Sequence, residues 1–230
     1  MSHSSHEAAM NGAPRVVAYN FFMTNVCAVL FDYGMVLSLP ADAAAWARLR
    51  VATGLSEERL QKLYWAHRDA YDEGLLTGVT YWETIAREGG FPLEAAKLAE
   101  LQAIDVDIWG SVNEPMVAWA GRLQARGVKT GILSNIGDAM EVGLRARHAW
   151  IGGFTHCTWS HRHKLIKPSA AIYEVAVAGL GCPAASILFI DDREVNVQGA
   201  IAAGLMAIRY TTFIEFEAAM RELGFAELLD

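Results

Sequence analysis

Long apolar runs and excess positive charge are missing from this chain, and cysteine is scarce. No apolar stretch in its 230 residues is long enough to cross a bilayer, which excludes a membrane-spanning helix. The first twenty residues are polar and rich in Ala and Gly, with Val16-Val17 as an isolated apolar pair, so they lack the continuous core of a secretory signal. Met23 precedes the first strand signal, and residues 1–23 are set apart as an arm, a tag or an alternative start. Lys and Arg number 19 against 26 Asp and Glu, a formal net charge of −7, which argues against a nucleic-acid surface. A local cationic cluster for an anionic substrate remains compatible with that balance. Cys27, Cys157 and Cys182 are odd in number and widely spaced, which predicts neither a disulfide framework nor a zinc site. Cys27 reads as a small core residue and the chain as suited to a reducing cytoplasm.

What is present is a globular composition, 53% hydrophobic and 20% charged. The length fits one good-sized domain, or a core with a smaller insert, as a monomer or a homodimer. Val26 to Phe31 is a continuous apolar run ending at Asp32, which reads as a strand buried on both faces. From about Ala41 to Trp109 the periods are helical. Ser56-Glu57-Glu58-Arg59 starts a helix, Thr80-Tyr81-Trp82-Glu83 has capping-box spacing, and Phe91-Pro92-Leu93 leads into a further helix through Ala103.

After Glu114-Pro115 strands and helices alternate. Helices are expected over Met116–Arg126, Ala139–Arg147, Ala170–Ala178 (stopping at Gly179) and Val195–Ala203. Strands are expected over Lys129–Leu133, Phe154–Trp159, Ile187–Ile190 and Met206–Arg209. The alternation implies βαβ units and a parallel sheet. The fold class is therefore α/β, a Rossmann-like parallel sheet with an inserted helical cap domain. The core is assigned to residues 24–38 and 112–230, and the cap to residues 39–111.

Four segments carry chemistry: Phe31-Asp32-Tyr33-Gly34-Met35-Val36, Leu133-Ser134-Asn135, Lys167-Pro168 and Phe189-Ile190-Asp191-Asp192. Side chains at the carboxyl ends of neighbouring parallel strands converge on one crevice. Asp32 is a candidate nucleophile, or else an acid capping a turn. Ser134 and Asn135 are suited to phosphate oxygens, or else to capping the next helix. Lys167, before a proline that opens a helix, would be held in place to neutralise a phosphoryl group; the alternative is a solvated lysine. Asp191 and Asp192 repel one another unless a cation such as Mg²⁺ is bound, with Asn196 placed to brace them.

In order and spacing these segments resemble the haloacid dehalogenase-like hydrolase superfamily, from about Thr24 to Ile208. The insert, with Tyr71-Asp72-Glu73-Gly74 followed by Tyr81-Trp82, is similar to the helical caps of bacterial phosphatase-like members. The resemblance implies Asp32 as nucleophile and Ser134 and Lys167 as catalytic and substrate-binding partners, with Asn135 also at the substrate. It implies Mg²⁺ held by Asp32, the Gly34 carbonyl, Asp191 and Asp192, with Asp192 the more direct ligand of the last two. The implied activity is a Mg²⁺-dependent phosphatase acting on a small phosphorylated metabolite, a sugar phosphate being one candidate, through an aspartyl-phosphate.

Two positions depart from the pattern. The second acid usual two residues after the nucleophile is Gly34 here, as in a subset resembling sugar-1-phosphate phosphatases. Losing a general acid costs about 10²–10⁴-fold. Either the leaving group is intrinsically good, or His161 or His163 substitutes, unless both are surface residues. Lys164 stands where the family has Gly. The basic run His161-Arg162-His163-Lys164 is either a second anion site or a solvated loop. Within the cap, Trp46, Tyr64, His67, Arg68, Tyr71 and Trp82 could reach substrate, although packing is the commoner use of such residues. A 2-haloacid dehalogenase is the alternative, since those enzymes also lack the second acid. They need no metal, however, and carry Tyr two residues after the nucleophile, whereas Tyr33 is one residue after. A catalytically silent binding protein on the same fold is a third reading.

Overall fold

The computed structural model describes residues 26–230; the expectation for the N-terminal arm lies outside the described residues. Five parallel strands form one sheet: β1 (Ala28–Phe31), β2 (Lys129–Ser134), β3 (His156–Trp159), β4 (Ile187–Asp191) and β5 (Met206–Arg209). Their order, β3-β2-β1-β4-β5, puts β1 in the centre. Phe31 lies opposite Ile132 of β2 on one side and Ile190 of β4 on the other. The chain builds outward from β1 in one direction and then crosses to its other side. The carboxyl ends of β1 and β4 thus flank the crevice created where strand order reverses.

The apolar run of β1 is continuous because both its faces are covered. Val29 and Phe31 enter one core with Trp119, while Ala28 and Leu30 enter another with Ile172 and Leu180. Alternate residues of a strand point to opposite faces, so a strand in the middle layer has no polar side to show.

Between β1 and β2 the chain makes α1 (Ala43–Thr53), α2 (Glu57–Ala66), α3 (Arg68–Asp72), α4 (Gly78–Gly89) and α5 (Ala95–Trp109), and then α6 (Glu114–Ala125) against the sheet. An isolated antiparallel bridge between Ser38 and Val112 brings the two ends of the helical insertion together where it leaves the core. After β2 come α7 (Asp138–Arg147), the short α8 (Ser160–His163), α9 (Ala170–Leu180), α10 (Glu194–Ala202) and α11 (Phe213–Glu222). Among the described residues no helix is long and apolar enough to cross a membrane.

Several local expectations are corrected. The capping box is three residues earlier than the sequence suggests: Thr77 Oγ1 accepts from the Thr80 N–H at 3.2 Å and Thr80 Oγ1 from the Thr77 N–H at 2.8 Å. Helix α5 continues past Ala103 to Trp109. Helix α9 runs through Gly179 to Leu180 and stops at Gly181, which has φ 60°. Gly179 is there for contact: a Cβ would sit 2.2 Å from Nε2 of His156. Lys167 does not open a helix; the Lys167–Pro168 peptide is cis and α9 starts at Ala170.

The cysteine expectation fails. Cys27 and Cys182 form a disulfide, their Cα atoms 6.1 Å apart and the residues 155 positions apart in the chain; Cys157 is free. Spacing along the chain could not reveal a pair that the sheet brings together, with Cys27 leading into β1 and Cys182 following α9. The cysteine content therefore gives no argument for a reducing compartment.

Candidate active site

Asp32 is the first residue after β1. Its N–H donates to the Ile190 carbonyl at 2.8 Å, so the pairing with β4 fixes its backbone. The chain then turns through Tyr33 to Leu37, closed by the Ser38 N–H on the Tyr33 carbonyl at 2.8 Å, with Met35 at φ 59°. This turn holds Asp32 Oδ1 against the Tyr33 N–H at 2.7 Å.

Lys167 is the hub of the site. Its buried Nζ lies 2.8 Å from Asp32 Oδ1 and 2.7 Å from Asp191 Oδ2. Asn135, just beyond β2, clamps the Lys167 backbone: Oδ1 accepts from the Lys167 N–H at 2.8 Å and Nδ2 donates to its carbonyl at 3.1 Å. Helix α7 begins at Asp138 with Gly137 as its cap, so neither Ser134 nor Asn135 serves that purpose. Ser134 is buried at the end of β2 and lines the cavity. Among the described residues its hydroxyl has no hydrogen-bond partner.

Asp191 ends β4 fully buried and is braced from its own loop and helix. The Arg193 N–H donates to Oδ1 at 2.8 Å, and Asn196 Nδ2 reaches Oδ1 at 3.0 Å and Oδ2 at 3.1 Å. Asp32, Asp191 and Asp192 each bring an oxygen to within 4.8 Å of the others. Three carboxylates thus share one ammonium, and the cluster carries surplus negative charge.

That surplus is visible in the ionisation behaviour. The Asp32 carboxyl is pushed up to about 7, chiefly by burial, with Lys167 pulling down and Asp191 and Asp192 pushing up. Asp192 is likewise raised, by burial and then by Asp191. Burial opposes the Lys167 ammonium, but attraction to Asp191 and Asp32 prevails and its pKa lies above the lysine range. A site of hard oxygen donors with too little positive charge fits a divalent cation such as Mg²⁺. Asn196 Oδ1, buried and without a protein partner, is one more oxygen next to this cluster.

Asp32, Ser134, Asn135, Lys167, Asp192 and Asn196 line a cavity of about 240 Å³, with Asp191 buried behind it. Its floor is the strand ends, including Gly34, and its other wall comes from the helical insertion through Trp65, Arg68, Asp69, Asp72 and Trp109. Burial raises Asp72 and Asp105, which lies behind Asp72, and Arg68 counters it in both.

The structure sorts the remaining candidates. Arg68 faces the cavity, whereas Tyr64, Tyr71 and Trp82 are core residues and His67 pairs with Glu88 at 3.1 Å. Trp46 packs edge-on against Tyr64 and is not on the cavity wall. His161 binds Glu141 at 2.8 Å, and neither it nor His163 lines the cavity, so neither replaces the acid missing at Gly34. The basic run is no second anion site. Arg162 is paired with both oxygens of Glu141 at 2.7 Å, and Lys164 donates to the Gly74 carbonyl of the insertion. Sequence reasoning missed Trp65, Asp69 and Trp109. The available signal was an i, i+4 pair, Trp65 and Asp69, flanking a candidate already singled out, Arg68.

The fold recurs in solved structures. A HAD family enzyme from Bacteroides thetaiotaomicron superposes with a TM-score of 0.72 at 17% identity, covering 86% of this chain and 99% of that one. The same enzyme in complex with magnesium and inorganic phosphate gives 0.68 at 18% identity, over 82% and 96%. L-2-haloacid dehalogenase from Xanthobacter autotrophicus, with chloropropionic acid covalently bound, gives 0.63 at 18% identity, over 87% and 84%. At such identities these likenesses concern the fold alone. No curated protein matches in sequence. The haloacid dehalogenase-like hydrolase family matches residues 23–204, most of the chain, and on that match the chain belongs to the haloacid dehalogenase-like hydrolases.

Proposed function

We propose that this hydrolase is a Mg²⁺-dependent phosphatase for small phosphorylated metabolites, sugar phosphates among them, with the helical insertion (residues 39–111) as its cap. The observation that supports this most is the packing of Asp32, Asp191 and Asp192 around one ammonium, which leaves negative charge for a divalent ion to balance. Halide displacement by a carboxylate makes no use of such a cluster.

In this reading Asp32, Asp191, Asp192 and the Gly34 carbonyl hold the Mg²⁺. The ion, when bound, offsets the charge of the carboxylates and of the phosphoryl oxygens. Asp32 Oδ1 is held by the Tyr33 N–H and Lys167, which leaves Oδ2 to attack phosphorus. As the Oδ2–P bond forms, the bond from phosphorus to the leaving oxygen breaks. Lys167 offsets charge on the transferring group and Ser134 donates to one of its oxygens. Asn135 acts through Lys167, keeping its stem in place. Water then attacks the aspartyl-phosphate, releasing phosphate and free Asp32. No side chain at position 34 protonates the leaving oxygen, so the site favours esters whose alcohol departs readily, such as anomeric phosphates.

A second reading, 2-haloacid dehalogenase, is favoured by the absence of an acid at position 34 alone. Phosphate release from a panel of sugar 1-phosphates and acetyl phosphate separates the two. Release that requires both Mg²⁺ and Asp32, and is lost with EDTA or in Asp32→Asn, is the expected result. Metal-independent halide release from 2-haloacids, without phosphate release, would overturn the proposal.

A further inference from the structure

We infer that the wall contributed by the insertion selects the leaving group by charge, accepting a cationic one best, an uncharged one next and an anionic one least. This rests on the phosphatase reading above and concerns the half of the cavity away from the phosphate.

The guanidinium of Arg68 would be the obvious counter-ion for an acidic substrate, but carboxylates behind it offset its charge. Nε donates to Asp72 at 2.8 Å, Nη1 donates to the Tyr64 hydroxyl, and Nη1 lies 3.6 Å from Asp105. Asp105 is held in turn by the Tyr64 hydroxyl at 2.6 Å. One buried cation therefore faces two buried carboxylates. Asp69 adds a third carboxylate to this wall, exposed and, among the described residues, without an ion-pair partner. The other cationic residues of the cavity come from the core side: Lys167, bonded to Asp32 and Asp191, and Arg193, which follows Asp192 at the start of α10.

The aromatic part of the wall points the same way. Trp65 and Trp109 meet edge to face, their centroids 6.3 Å apart. Both indole N–H groups are used within the insertion, Trp65 Nε1 on Gln61 at 2.9 Å and Trp109 Nε1 on the Tyr64 hydroxyl at 3.1 Å. Neither is left to donate to an anion. What the rings can offer a ligand is π-surface, which attracts cations and stacks on the C–H faces of sugars, next to an unpaired carboxylate. An amino sugar phosphate meets every one of these features; an acidic sugar phosphate meets only the stacking.

The test holds the reacting bond constant and varies only the charge. Glucosamine 1-phosphate, glucose 1-phosphate and glucuronate 1-phosphate are compared by kcat/KM in the Mg²⁺-loaded enzyme. The expected order is cationic, neutral, anionic, each step about tenfold for one unit charge at a partly screened site. Asp69→Lys, at an exposed position that leaves the packing intact, should compress the whole range to within about tenfold, and Trp65→Ala should lower the cationic substrate about three- to thirty-fold. Equal rates for the three esters, or a range unchanged in Asp69→Lys, would overturn the inference. If neither these esters nor acetyl phosphate releases phosphate, the phosphatase reading has failed by itself. Calorimetric binding of the same three esters to Asp32→Asn then decides the charge order without turnover. The same ranking, weakened by Asp69→Lys, would sustain the inference, and no ranking would end it.

Discussion

Replacing Asp32 by Asn should abolish turnover and, in the absence of metal, make the protein more stable. The folded state holds this carboxyl up at about 7 against an ordinary 3.8, chiefly through burial and against the pull of Lys167. Below about pH 4 both folded and unfolded chains carry it protonated, and it costs nothing. As pH rises the unfolded chain ionises first, so stability is lost progressively until the folded carboxyl also ionises near 7. The cost is then complete and corresponds to about 4 kcal/mol. Asn is neutral throughout and escapes it. Asp32→Asn should therefore exceed wild type by about 2 kcal/mol at about pH 5 and by about 4 kcal/mol at about pH 8. For a chain of this size the larger figure is a rise in Tm of about 10 °C. Thermal melts in EDTA, followed by circular dichroism at several pH values, measure it. Adding Mg²⁺ at about pH 8 should raise the wild-type Tm more than the variant's, because the ion relieves in the wild type the repulsion that the substitution removes. A variant less stable than wild type, or a gain independent of pH, would refute the reasoning. It would show that Lys167 holds Asp32 as an ordinary ion pair.

Other consequences are as specific. Gly34 has φ −62° and ψ 133°, open to any residue, and a Cβ there meets nothing within 4 Å. Gly34→Asp should therefore fold, and should raise turnover of esters with poor leaving groups by up to about 10²-fold; a steady-state comparison of alkyl and anomeric phosphates checks it. Asn135→Ala removes both hydrogen bonds on the Lys167 backbone and should lower kcat about tenfold or more with KM little changed, as expected when a positioning contact is lost. The disulfide closes a loop of 155 residues, so the double variant Cys27→Ser/Cys182→Ser should lose about 2–5 kcal/mol of stability in denaturant titration with the strand order unchanged. Lys167→Met leaves two buried carboxylates, with the half-buried Asp192 beside them, without their ammonium and should unfold at lower Tm in EDTA than in Mg²⁺, by a wider margin than wild type.

Asp32 and the acidic pair were legible because each lies where a local pattern ends. An apolar run buried on both faces must finish at a polar residue, and in a parallel sheet those ends meet. Asp32, Ser134 and Asp191 are found that way, and the family resemblance orders them. The disulfide was not legible, because 155 residues separate its cysteines and only the sheet brings them together. The helix boundaries that moved did so through side-chain detail: the reciprocal threonines at 77 and 80, and the contact of Gly179 with His156.

The insertion wall was unreadable for a different reason. Trp65, Arg68 and Asp69 sit around a break between two helices, with His67 at φ −112° and ψ 1°, so one helical period does not run through them. The same residue types pack the core a few positions away: Tyr64, Tyr71 and Trp82 are all buried. Which aromatic residues face a ligand is decided by where the insertion meets the strand ends. Arg68 shows how far this matters. By sequence it is a cation placed to greet an acidic substrate. In the structure Asp72 and Asp105 outweigh it from behind, and Asp69 adds to the negative charge left for the ligand. On the phosphatase reading proposed above, the core sets what is done to the phosphate, and the sign of that residual charge sets which phosphates arrive.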